Sequence, residues 1–179
     1  MDAFTYWKGP SFSLLEYLSL LSTSQNTGFE QISLYYDAQD HPDSHYWHLV
    51  DQIPRVVKRP AKQLLETYLA RYLPGCPRPS GDVRILADIF RYAYLYDRGG
   101  AWFDLDTLQL KDLASLMAQR PFTMGWESEE WANIAIMASP IHAPNSFLNI
   151  ATPAKRSTGR TPRRLLGDKG AHLMPPAIP

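Results

Sequence analysis

The sequence predicts an α/β fold with a mostly parallel central sheet flanked by helices. Three observations carry this expectation. Short apolar stretches of period two alternate with longer stretches of helical period. Turn-forming clusters separate them, at Gly9-Pro10, Pro74-Gly75 and Gly99-Gly100. The clearest helical stretch stops on a glycine pair and passes at once into an apolar strand.

Ala3 to Trp7 reads as a first strand closed by Gly9-Pro10. Ser11 then caps a helix whose Leu14, Leu15, Leu18 and Leu21 share one face. Gln31 to Tyr36 alternates as a second strand, and the Asp- and His-rich stretch from Asp37 to Asp51 reads as loop. Ala61 to Tyr72 has helical period and ends at Pro74 and Gly75. Gly81 to Asp97 is the best helix, with Ile85, Leu86, Ile89, Phe90 and Ala93 as its stripe, and Ala101 to Phe103 is the strand after it. Strands at Phe122 to Trp126 and Ile134 to Ala138 are expected, with helices near Leu110 to Ala118, Asn145 to Ala151 and Pro162 to Leu166.

The bulk composition narrows the function. A chain of 179 residues buries a sizeable core and is expected to form one domain over 1–179. Eighteen basic and eighteen acidic side chains cancel, so no bulk attraction to nucleic acid is expected; Lys155 to Arg164 is a local basic run suited to an anionic acceptor or peripheral membrane contact, or simply a solvated face. The lone Cys76 excludes an internal disulfide framework and a Cys-rich zinc site. Without a signal-peptide pattern or a run of about 20 apolar residues, the expected location is cytoplasmic.

The chemistry concentrates between Asp88 and Asp106. Asp88 and Arg91 stand three apart on the long helix and share a face, as an ion pair or as a joint grip on a ligand. Asp104 and Asp106 flank Leu105 in what reads as an extended segment, whose alternation turns both carboxylates to one side. Two hard oxygen ligands there suit Mn²⁺ or Mg²⁺ carrying a diphosphate. With 12 Asp in the chain, roughly one Asp-x-Asp is expected by chance, so position gives this one its weight. It follows an apolar strand, and open α/β sheets bind ligands beyond the carboxyl ends of their strands.

The order Asp88, two residues, Arg91, a tyrosine-rich helix, Gly99-Gly100, one residue, Trp102, one residue, Asp104-Leu105-Asp106 resembles the DxD sugar-binding segment of glycosyltransferase family 32 and its relatives. The resemblance implies a GT-A-like fold and a metal-dependent transferase moving a sugar from a UDP- or GDP-sugar to a glycan, lipid-linked or protein hydroxyl acceptor, with retention at the anomeric carbon. Polysaccharide biosynthesis is the setting it suggests. It assigns Asp104 and Asp106 to the metal, and Asp104, Asp106 and Arg91 to catalysis. The donor falls to Asp88, Arg91, Trp102 and Asp104. Tyr6-Trp7-Lys8-Gly9 is similar to the family's first strand, where Trp7 either stacks on the nucleotide base or packs as a buried strand tryptophan.

Asn133 to Pro140 is like the family's segment after the metal site, and Ser157 to Gly159 resembles a later turn in which Arg160 replaces a usual proline. Glu127, Glu129 and Glu130 are either acceptor-side acids or a solvated loop. Relatives run on beyond the segment like His172 to Pro179, so the chain is expected to be short at its C-terminus, and a non-catalytic or truncated sugar-nucleotide-binding module is the alternative reading.

Overall fold

In the computed structural model, residues 1–37, 44–75, 82–118, 122–126, 128 and 132–141 are described. In chain order the elements are β1 (Ala3–Trp7), α1 (Leu14–Asn26), β2 (Ile32–Tyr36), α2 (His45–Leu49) running into a 3₁₀ turn (Val50–Gln52), β3 (Val56–Pro60), α3 (Lys62–Tyr72), α4 (Val83–Arg98), β4 (Gly100–Phe103), α5 (Leu113–Ala118), β5 (Thr123–Trp126) and β6 (Ala132–Ser139). The helices expected at Asn145 to Ala151 and Pro162 to Leu166 lie outside the described residues, as do Glu127, Glu129, Glu130 and Lys155 to Arg164.

Six strands form one sheet in the order β3-β2-β1-β4-β6-β5. β1, β2, β3 and β4 pair in parallel, whereas β6 runs antiparallel to both β4 and β5. The expected α/β fold with a mostly parallel sheet is therefore present. Its central strands are buried on both faces: Ala3, Trp7, Ile32, Leu34, Ala101 and Phe103 face one core, and Phe4, Tyr6, Tyr35 and Trp102 face the other. α1 and α2 cover the first core, and α3 and α4 the second.

Several sequence expectations need correcting. Helix α1 is capped by Ser13, not Ser11: Ser13 Oγ accepts from Leu15 N–H, and Glu16 accepts from Ser13 N–H at 2.7 Å, a reciprocal capping box. Three of the four leucines of its expected face, Leu14, Leu15 and Leu18, are exposed, while Leu21 packs against the first core and Ser19, Leu20, Thr23 and Ser24 are buried. The stretch expected to be loop holds α2, whose Trp47 is fully buried between Trp7, Phe12 and Tyr36. β3 went unread because it is an edge strand with Lys58, Arg59 and Pro60 in five residues. α5 starts at Leu113, leaving Leu110 exposed.

Gly99 and Gly100 act as expected at the end of α4. Both have positive φ, at 66° and 101°. A Cβ on Gly99 would lie 2.6 Å from Ile141 N, and one on Gly100 2.8 Å from Asp2 O. The pair thus lets β4 start flush against the ends of β1 and β6.

Candidate donor site at the strand switch point

From β1 the chain steps outward through β2 to β3, and β4 enters on the opposite side of β1. The carboxyl ends of β1 and β4 therefore border the crevice where such sheets bind ligands. A cavity of about 370 Å³ lies there, lined by Tyr6 and Trp7 of β1 and Lys8 after it, by Trp102, Asp104, Leu105 and Asp106 at the end of β4, by Glu16 in the first turn of α1 and by α4 from Val83 to Arg91.

The two acids come together by a different route from the one the sequence suggests. β4 ends at Phe103, and residues 104–107 form a turn rather than extended chain. Thr107 closes it, donating to Asp104 O from its amide at 3.2 Å and from Oγ1 at 2.7 Å. Ala135 O on β6 accepts from Asp104 N–H at 2.7 Å and anchors the start of the turn. Asp104 and Asp106 both line the cavity, brought there by the turn instead of by strand alternation.

Asp104 is half-buried. Its Oδ1 accepts from Trp102 Nε1–H at 2.7 Å and lies 3.4 Å from the Arg91 guanidinium. Burial holds its carboxyl above the usual carboxylate range and the neighbouring Asp106 adds to that, while Arg91 and the indole N–H oppose it. Asp106 is exposed and makes no hydrogen bond or ion pair with any described residue.

Arg91 sits behind these acids, only 5% exposed. It donates to Asp88 Oδ1, to Ile134 O on β6 at 2.7 Å and to Asp104 Oδ1, and its guanidinium lies 4.9 Å from the Trp102 ring. Its Nε is buried without a partner among the described residues. Arg91 therefore ties α4, β4 and β6 together, and Asp88, nearly half exposed, is the member of the pair open to a ligand. Of the two readings left open for Asp88 and Arg91, the ion pair is observed, and Arg91 borders the cavity with its charge engaged by three oxygens of the chain itself.

The tryptophans are also more buried than a stacking role requires. Trp102 is 2% exposed, packed edge-on to Phe4. Trp7 is 7% exposed and packs against Phe12 and Trp47, which favours the buried-strand reading of the two left open, although the ring still borders the cavity. Lys8, paired with Asp37 at 3.0 Å, and Glu16, Val83, Arg84 and Ala87 complete the lining. Sequence reasoning missed these last four. The available signal was their position in the first turns of helices that begin at this edge of the sheet.

The chemistry of the donor set fits a hard divalent cation. The Asp106 carboxylate and Oδ2 of Asp104 have no partner among the described residues and both residues line one cavity, where the repulsion between the two charges is what a cation would relieve. Among the described residues no third His, Cys, Asp or Glu is placed to complete a metal-binding group with them. That count suits a cation held by one or two carboxylates, with phosphate and water as the other ligands.

Residues 37–123 match the model of the glycosyltransferase sugar-binding region containing a DXD motif. The segment from Asp88 to Asp106 lies inside that span, and the resemblance read from it is borne out at the level of this region. No curated protein matches the chain. In fold the chain is similar to a solved structure titled "PaToxG Glycosyltransferase", with a TM-score of 0.60 and 18% identity over 84% of this chain and 58% of that one. The chain thus spans somewhat over half the length of the structure it matches.

Proposed function

We propose, from the premise that this chain carries a DXD sugar-binding region on a glycosyltransferase-like fold, that it is a metal-dependent glycosyltransferase using a nucleotide-sugar donor. The observation that carries the reading is the convergence of Asp88, Asp104 and Asp106 on one cavity at the strand switch point. The donor is a UDP- or GDP-sugar, the acceptor a hydroxyl of a glycan, lipid-linked glycan or protein, and the family resemblance favours retention.

Asp106 and Asp104 would hold Mn²⁺ or Mg²⁺, which supplies Lewis-acid stabilisation of the charge developing on the diphosphate leaving group. Asp88 accepts hydrogen bonds from the donor sugar's hydroxyls, since its partly exposed carboxylate borders the same cavity. Arg91 holds Asp88 and Asp104 in place and offsets part of the negative charge the site concentrates. Lys8, at the end of β1, adds positive charge at the mouth for the phosphates.

The test is calorimetric titration of UDP, GDP and their sugar conjugates with and without Mn²⁺, on the wild type and on Asp106→Ala. Binding that requires both Mn²⁺ and Asp106 is expected, weakened at least tenfold in the variant. Absence of binding to every nucleotide would sink the reading. A donor-binding module without turnover is the alternative reading. Slow metal-dependent hydrolysis of the bound sugar nucleotide would decide for the enzyme.

A further inference from the structure

We propose that Trp102 is a positioning residue for Asp104: its indole N–H fixes Oδ1 so that Oδ2 is the oxygen presented to the cavity. This rests on the donor site proposed above and assigns Trp102 a role other than contact with the donor.

The ring has little freedom to do anything else. Phe4 on β1 and Met137 on β6 flank Trp102 across the sheet, and Phe4 meets it edge-on at 5.4 Å between ring centroids. The Arg91 guanidinium lies over the indole at 4.9 Å. An indole carries one donor and no acceptor, and when buried it needs a partner. Here that partner is a carboxylate two residues on, at 2.7 Å. The backbone of Asp104 is held separately by Ala135 O and Thr107, so what the indole bond governs is side-chain rotation, about χ1 and the broad, roughly two-fold χ2.

Trp102 and Arg91 compete for that rotation. The indole bond is short, whereas the Arg91 contact is long at 3.4 Å and is not bidentate. Without the N–H, the carboxylate is free to turn toward Arg91 in the fork-to-fork arrangement guanidinium and carboxylate prefer. Both oxygens would then be engaged at the back of the cavity. In the observed arrangement one oxygen is tied back and the other is left for a ligand.

Two variants separate the N–H from the ring: Trp102→Phe, and replacement of the residue 102 side chain by its benzothiophene isostere, with sulfur in place of N–H. Mn²⁺ affinity is read by electron paramagnetic resonance of free Mn²⁺, in the presence of the nucleotide that the wild type binds best, with the melting temperature measured alongside. At least tenfold weaker Mn²⁺ binding is expected in both, the size that loss of an orienting partner of a ligand carries. The isostere should melt close to the wild type. Mn²⁺ affinity within twofold of the wild type in both variants overturns the proposal. A loss in the Phe variant alone assigns the effect to packing and overturns it as well. If the wild type binds no Mn²⁺ with any nucleotide, the donor-site reading itself fails, and this inference with it.

Discussion

Helices α1 and α4 cover opposite faces of the same sheet, and their sequences relate to their burial in opposite ways. In α4 most of the apolar stripe points inward: Leu86, Phe90 and Ala93 are buried and Ile89 is half-buried, with Ile85 alone of the five turned out at 48% exposed. In α1 three leucines point outward and the inner face is largely Ser19, Thr23 and Ser24. The inner face of α1 tolerates hydroxyls because each finds an acceptor. Ser24 Oγ donates to Pro54 O at 2.6 Å, Thr23 Oγ1 to Ser19 O at 2.8 Å and Thr27 Oγ1 to Thr23 O at 2.6 Å. Small side chains also let α1 lie close to the turn that carries the acids, where Ser19 Oγ approaches Asp104 O at 3.5 Å. The difference teaches that a leucine stripe marks the inner face of a helix only where the opposing face cannot satisfy its own polar groups.

The largest expected effect lies on the α4 side. Phe90 is fully buried and meets Phe4, Tyr6, Tyr35 and Tyr68 at ring-centroid distances of 4.9 to 6.4 Å. Phe90→Ala should cost about 3–5 kcal/mol in urea unfolding. A cost below about 1 kcal/mol would mean that α4 does not hold the second core as its stripe implies.

A smaller loss is expected from making α1 conventional. Ser24→Leu places a larger apolar group on its inner face and leaves Pro54 O without its donor. About 1–3 kcal/mol of stability should be lost, read by the same unfolding experiment. A stabilised variant would show room for a leucine under α1 and break the comparison.

Polar atoms on the α4 side are treated less well. Tyr68 of α3 packs on Phe90, and its hydroxyl is buried with no partner among the described residues. Tyr68→Phe should therefore be neutral or stabilising by up to about 1 kcal/mol. Burial also pushes the Tyr68 phenol well above its ordinary value. Above about pH 10 the unfolded phenol loses its proton while the folded one keeps it, so the native state binds more protons and stability falls as pH rises. The Phe variant removes part of that alkaline loss. Tyr72, Tyr92 and Tyr94, raised by burial in the same direction, keep the rest. An alkaline limb as steep as the wild type's would contradict this assignment.

These contrasts also explain what was legible in the sequence. β1, β2 and β4 were readable as short apolar runs beside turn residues, α3 and α4 because their helical period largely agrees with their burial, and Gly99-Gly100 marked a junction whose geometry demands glycine. β3 was not, since an edge strand needs only one paired side and keeps charges on its residues. Trp47 was hidden because it enters the core from a five-residue helix too short to show a period. In the site, residue identity pointed to Asp88, Arg91, Asp104 and Asp106, and all four border one cavity. Their division of labour was not readable. The burial of Arg91 and the indole bond to Asp104 come from β6 and from the turn closed by Thr107, contacts far apart in sequence or set by local backbone.

The smallest effect is expected where the sequence looks most like a core. Leu14, Leu15 and Leu18 are 47%, 45% and 37% exposed, so removing them from water is not what holds α1 on the sheet. Single changes of each to Gln should alter unfolding free energy by less than about 0.5 kcal/mol, because the side chain keeps helix propensity and loses little buried area. Leu20, fully buried two positions after Leu18, is the internal control: Leu20→Ala should cost about 2–5 kcal/mol. If the three exposed leucines instead cost more than about 1 kcal/mol apiece, something covers that face in the folded protein. Helix α1 would then bury two faces rather than one, and its Ser and Thr face would no longer be its main attachment to the sheet.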